Sequence, residues 1–250
     1  GTPGPHPYLV GISEGRAVLD SVRAARELPG AGGGRRFAVW GHSQGGQASL
    51  YTGILAKTYA PELNLVGVAA AAPATELATL MADDLNTNGG RNLAAMTLWS
   101  WARVFNAPME RVVQAPAIPV VNRLAEECLE SIYDFVVRQR TARGLEQAFL
   151  SVPNPVALEP WRTLAASNTP GVLPGALPVF LSQGADDKLV LPGVTKNYAR
   201  LLCRGGSKVR MAVLPGVNHG VIARDSAGMA VDWMAGRFAG ADLPNDCGGN

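Results

Sequence analysis

Charge is scarce and unclustered in this chain. Asp, Glu, Lys and Arg make up 17% of its 250 residues, and 22 basic against 20 acidic side chains leave a formal charge of +2. The basic residues are scattered, with only short pairs such as Arg35 and Arg36. Neither nucleic acid nor an anionic membrane surface is therefore expected as the main partner. Long apolar runs are missing too. Stretches such as Leu65 to Pro73 stop well short of the ~20 residues that a membrane-spanning helix needs.

Cysteine and histidine are equally sparse. Cys128, Cys203 and Cys247 show no CxxC spacing and the three histidines no HExxH, so no metal site is expected. The chain does not open on a basic and apolar signal segment but on GTPGPHPYLVG, loop chemistry that runs into a helix. Any targeting segment is expected to lie outside it. Internal repeats and low-complexity tracts are absent.

What is plentiful is apolar material, 47% of the chain, enough for one α/β domain with a sizeable core and far more than a disordered protein carries. Val10, Ala17, Val18, Val22, Ala25 and Leu28 fall on roughly one face of a helix over 10–28, which Pro29 and the glycines after it end. A strand follows at 36–40, a helix at 44–59 and a second apolar strand at 65–72, closed by Pro73. Later, 177–184 and 208–216 read as short buried strands, separated by a helix near 194–203 and followed by one over 226–238. Apolar strands alternating with helices predict a parallel sheet covered on both faces.

Residues 75–175 break that rhythm. They hold little strand signal, several helical pieces, the bulky cluster Met96, Trp99, Trp101, Phe105 and Met109, and a proline-rich close. They read as a mostly helical insertion between 1–74 and 176–250. Helically spaced Trp and Met most simply pack as core.

The stretch FAVWGHSQGGQ, residues 37–47, carries the chemistry. Gly41-His42-Ser43-Gln44-Gly45 fits G-x-S-x-G, in which serine sits on a strained strand-to-helix turn. Small residues two before and two after the serine are expected there because the turn brings backbone close to backbone. That geometry would lift the Ser43 hydroxyl above the carboxyl ends of the strands. It would also leave the Gln44 N–H at a helix N-terminus, aimed at an oxyanion forming on a bound acyl group.

A serine hydroxyl needs a base. His42 adjoins Ser43, and neighbouring side chains diverge at a sharp turn, so it is expected to pack or bond locally. His6 sits in a proline-rich loop. His219, in VNHG after the last strand, lies where a loop at a strand's carboxyl end would put a base. The acid should follow the preceding strand, where QGADDKLVLP offers Asp186 and Asp187. The pattern G-x-x-D-x-x-V of such loops favours Asp187, which would hold the histidine tautomer and stabilise the imidazolium.

The elbow GHSQGG, the helix SEGRAVLDSVRAAR before it, AKTYAPELNLVGVAAAAP after it, QGADDKLVLP and VNHG together resemble the secreted lipases related to Candida antarctica lipase A, in their bacterial branch. The resemblance covers most of the chain and is weakest in the insertion; the family's spacings also favour Asp187.

It implies an α/β-hydrolase fold, hydrolysis of carboxylic esters such as acylglycerols at a lipid–water interface, no cofactor and secretion. It implies a Cys203–Cys247 disulfide and a helical cap over 75–175, with Met96, Trp99, Trp101 and Phe105 as acyl-chain lining. Relatives carry further sheet and helix upstream, with the second oxyanion donor, so the resemblance implies that 1–250 is the carboxyl-terminal part of a longer enzyme, with Cys128 separated from a partner there. A short-chain esterase or an amide-cleaving relative would share the triad, and a hydrolase fold kept only for binding is the alternative outside catalysis.

Overall fold

A computed structural model of the chain describes residues 3–127, 132–242 and 245–248. Two compact units emerge, one made of Gly11–Glu76 and Thr169–Asn250, the other of Gly1–Val10 and Leu77–Asn168.

The first unit is built on four parallel strands in chain order, β1 (Arg36–His42), β2 (Asn64–Ala71), β3 (Val179–Gly184) and β4 (Val209–Leu214). Its helices are α1 (Gly11–Glu27), α2 (Gln44–Tyr59), α9 (Pro192–Arg204) and α10 (Ile222–Ala239). The second unit supplies the six between them: α3 (Leu77–Asp83), α4 (Asn88–Phe105), α5 (Ile118–Glu126), α6 (Ile132–Ala142), α7 (Gly144–Gln147) and α8 (Trp161–Ser167). Among its described residues the strand-like pairing is a single antiparallel bridge, Val113 to Leu150. No helix among the described residues is long and apolar enough to cross a membrane.

Alternation along the strands sorts the core into two layers. Phe37, Val39, Val68, Ala70, Val179, Leu181 and Val209 face one cluster, together with Leu19, Leu50, Tyr198 and Leu202 of α1, α2 and α9. Ala69, Phe180 and Ala212 face the other, against Ala230 and Trp233 of α10. The register between β1 and β2 jumps from Phe37–Leu65 to Ala38–Gly67, skipping Val66. That bulge changes the parity of β2, so Leu65 and Val68 share a layer although they are an odd number of residues apart. It also turns Gly67 toward α10, where a Cβ would stand 2.7 Å from the Trp233 ring.

The buried stripe of α1 follows the expected apolar face only in part: Val18 and Val22 pack half-buried against the core. Gly11, Glu14, Gly15 and Leu19 are buried, whereas Leu28 lies beyond the helix and is exposed. The reason is close packing on α2: a Cβ on Gly15 would lie 2.8 Å from the Tyr51 backbone, and one on Gly11 would overlap the Tyr51 ring. Apolar periodicity scores bulk, and this contact is made by its absence.

At the other edge of the sheet the carboxyl-terminal segment covers β4. Asn245 Oδ1 accepts from the Val209 N–H and Asp246 Oδ2 from the Met211 N–H, which occupies donors an edge strand would otherwise present. Cys203, in α9, and Cys247 are joined by a disulfide with a Cα–Cα distance of 5.4 Å, the pairing the family resemblance implies. Cys128 lies outside the described residues.

Candidate active site

Three loops leave the carboxyl ends of β1, β3 and β4, the edge of a parallel sheet where side chains converge on a crevice. Ser43 follows β1 directly, with φ 57° and ψ −118°, a conformation that a non-glycine residue holds only when its surroundings impose it. Here they do. The Ser43 N–H donates to Ala71 O at 2.9 Å, and its carbonyl accepts from Gln47 N at 3.1 Å and Ala74 N at 3.0 Å.

The glycines around the serine have unequal roles. A Cβ on Gly41 would lie 2.0 Å from the Gly45 carbonyl oxygen, and one on Gly46 2.9 Å from Pro73, whereas a Cβ on Gly45 would meet nothing within 4 Å. The expected need for a small residue two positions after the serine is thus not a matter of contact. The crowded pair is Gly41 against the Gly45 backbone.

Ser43, His219 and Asp187 form one hydrogen-bonded row. His219 Nε2 lies 2.9 Å from Ser43 Oγ, and His219 Nδ1 lies 2.8 Å from Asp187 Oδ2. A carboxylate can only accept, so Nδ1–H donates to Asp187 and Nε2 is left to accept from the serine hydroxyl. The Asp187 side chain is fully buried and that of His219 15% exposed.

The loop carrying His219 crosses close over the end of β3. A Cβ on Gly184 would lie 2.3 Å from Val217 O, and the same carbonyl accepts from Asp186 N at 3.0 Å. Asp186 is exposed and contributes this backbone contact. His6 is also exposed and belongs to the other unit, its ring 6.4 Å from that of Tyr8.

Asp187 is held by a set of donors that sequence patterns do not reveal. Its Oδ1 accepts from the Leu189 and Val190 N–H groups, each at 2.9 Å, and its Oδ2 accepts from Gln183 Nε2 at 3.1 Å. Gln183 is itself buried, and its Oε1 accepts from Thr195 Oγ1 at 2.6 Å. Such fully bonded buried groups hold the carboxyl group in one orientation. Gln183 on the final turn of a buried strand reads as core, and only the fold shows that its amide reaches four residues on.

Gln44 opens α2, so its N–H precedes the first intrahelical bond and sits at the positive end of the helix. Its side-chain amide donates to Glu14 Oε1 at 2.6 Å, tying the elbow to α1. Glu14 is buried and, with desolvation as the larger cause, helps push the Tyr51 hydroxyl up to about 12. His42 packs its ring on that of His219, with centroids 4.7 Å apart. Burial first and the charge of His219 second hold it below the ordinary histidine range.

The four side chains expected along an acyl tunnel have different surroundings. Trp101 is fully buried within its own unit, its indole N–H donating to Leu9 O at 3.3 Å. Met96 and Trp99 are half-buried and Phe105 is exposed; Met96 Sδ accepts from Arg138 at 2.8 Å, and Arg103 stacks over Trp99 at 5.7 Å.

A parallel sheet with a serine on the strained turn after one strand, and an acid and a histidine after later ones, defines the α/β-hydrolases. Within them the chain belongs to the secretory lipase family, which it matches over residues 3–246. It is 26% identical over 253 residues to a secreted triacylglycerol lipase of Malassezia globosa, an alignment covering 96% of this chain and 53% of that one. The closed state of Candida antarctica lipase A superposes with a TM-score of 0.72 at 18% identity, covering 97% and 58% of the two chains. A putative hydrolase of Legionella pneumophila gives 0.80 at 16% identity, covering 96% and 67%. The chain thus spans about half the length of the curated relatives it matches.

Proposed function

We propose that this chain carries the reacting groups of a carboxylic ester hydrolase that works through an acyl-enzyme on Ser43. The observation that carries the reading is the row Ser43–His219–Asp187, set at the carboxyl ends of three strands of one sheet. His219 Nε2 takes the serine proton as Oγ attacks the ester carbonyl carbon, and the positive charge it gains faces Asp187. The Gln44 N–H supplies one donor to the tetrahedral oxyanion. His219 then returns the proton to the leaving alcohol, and water attacks the acyl-enzyme by the same route and releases the acid.

Relatives named as triacylglycerol lipases support acylglycerols as the substrate class, and with it action at a lipid–water interface. The family's description as secretory and the relatives' names support secretion, and the Cys203–Cys247 bridge fits an oxidising compartment. The helical unit is the proposed cap and source of acyl-chain contacts, with Met96, Trp99 and Phe105 as the side chains to truncate first.

The test is hydrolysis of p-nitrophenyl esters of graded acyl length by the full-length protein and its Ser43→Ala variant. Loss of turnover on the order of 10⁴-fold or more is expected. Hydrolysis that survives the substitution would sink the reading. Preference for long over short acyl chains would favour a lipase over an esterase.

A further inference from the structure

The residue before Ser43 is built into the site in a way the elbow itself does not require. His42 ends β1, and its ring lies against that of His219 with centroids 4.7 Å apart and planes 40° apart, a tilted contact of the kind aromatic rings favour. Its Nε2 is buried and has no hydrogen-bond partner among the described residues. A buried polar atom left unpaired calls for an explanation, and the contact with His219 supplies one.

His219 needs a wall of this kind. Hydrogen bonds at Nδ1 and Nε2 hold its two nitrogens along one line and leave the ring free to roll about that line. The flanking loop offers little else, since Asn218 and Gly220 are both exposed. The loop is otherwise tied by backbone or local bonds: Val217 O accepts from Asp186 N, and Asn218 Oδ1 accepts from Gly220 N at 3.0 Å.

We infer that His42 is a positioning residue for the base: its ring confines the His219 imidazole to the plane in which Nε2 addresses Ser43 and Nδ1 addresses Asp187. This rests on the reading of those three groups as the reacting ones. The nucleophile and the wall that orients its base are then consecutive residues at one strand end, so a shift of that end carries both together. The titratable groups facing His42 are His219 and Asp187. Burial and His219 disfavour charge on His42, while hydrogen bonding to the His219 backbone and the Asp187 charge favour it less strongly. A neutral His42 places no second positive charge beside the imidazolium that forms when His219 takes the serine proton.

Two substitutions in the full-length protein test this: His42→Phe keeps a ring face, and His42→Ala removes it. The readouts are kcat and KM on a p-nitrophenyl ester, thermal unfolding, and the low-field proton NMR signal of His219 Nδ1–H, which needs no turnover. His42→Ala is expected to lower kcat roughly 10- to 100-fold, with KM changed less than about threefold, and to broaden the Nδ1–H signal. His42→Phe is expected to retain most of both. A folded Ala variant with wild-type kcat and a sharp signal overturns the inference, as does a Phe variant that behaves like Ala. Should the Ala variant not fold, nuclear Overhauser contacts between the His42 and His219 rings in the wild-type protein decide, and their absence overturns it. Hydrolysis that does not depend on Ser43 would remove the proposed reaction, while the NMR signal and the ring contact would still report on positioning.

Discussion

One side-chain amide adds to the backbone donors that hold Asp187. Gln183 Nε2 bonds Asp187 Oδ2, the Gly184 carbonyl and the Val190 carbonyl, and Thr195 satisfies its Oε1. Gln183→Leu keeps the bulk and strips every one of these bonds, leaving Asp187 Oδ2 with His219 alone and removing the partner of the buried Thr195 hydroxyl. It is expected to lower stability by about 1–3 kcal/mol and to reduce kcat more than it raises KM, measured by urea unfolding and by initial rates.

His42 makes a separate statement about pH. Its imidazole is held below its ordinary value by burial and by His219. Above the unfolded-state value of about 6.5 both folded and unfolded chains carry it neutral, and it adds no pH dependence. As pH falls below that value the unfolded chain takes up the proton first, so stability declines until the folded-state value is reached. Thermal midpoints of the wild type are therefore expected to fall more steeply below about pH 6.5 than those of His42→Phe. Parallel curves would count against a buried neutral His42.

At the scale of the element, small residues decide how closely α1, α2 and β1 approach. Gly15 touches the Tyr51 backbone, which cannot rotate away, and Gly41 touches the Gly45 carbonyl. Gly15→Val and Gly41→Ala are each expected to cost about 1–3 kcal/mol through overpacking, and Gly41→Ala also to lose turnover because the elbow must open. Gly45→Ala is the contrasting case. Its Cβ points into open space within a helix, so stability is expected to be unchanged or raised by up to about 1 kcal/mol. Denaturant titration of the three variants separates contact from motif: equal destabilisation by Gly45→Ala and Gly41→Ala would refute this assignment.

For the whole molecule, the covalent tie between α9 and the carboxyl-terminal segment matters most. The bridge spans a sequence separation of 44, and a loop of that size corresponds to stabilisation of about 2–4 kcal/mol. The Arg210–Asp246 pair beside it is exposed on both sides and is worth little alone. Cys203→Ser with Cys247→Ser is expected to lose roughly the disulfide contribution of 2–4 kcal/mol, while Arg210→Ala alters stability by less than about 1 kcal/mol. Chemical denaturation with and without reductant checks both. If reduction leaves the midpoint unchanged, the contacts of Asn245 and Asp246 with β4 suffice to hold that segment.

The parallel α/β architecture, the elbow at Ser43 and the order of serine, acid and histidine are legible in the chain before it is folded. Each of these is written in local patterns: apolar strands of the right length, a glycine-framed turn between strand and helix, and loops that follow strands. What depends on close approach between packed segments emerges in the folded chain alone. The buried stripe of α1 runs through Gly11 and Gly15 as well as Leu19, because close packing on α2 and not hydrophobicity selects the two glycines. The bulge at Val66 reassigns faces along β2, which no count of alternating residues foresees. Gln183 holds Asp187 because the turn after β3 folds back on the strand end, and His42 covers His219 because the fold brings together two side chains far apart in sequence that both stand near strand ends. Hydrogen bonds and ring contacts are short-ranged in space and indifferent to separation along the chain, so their partners become visible only once the strands lie side by side.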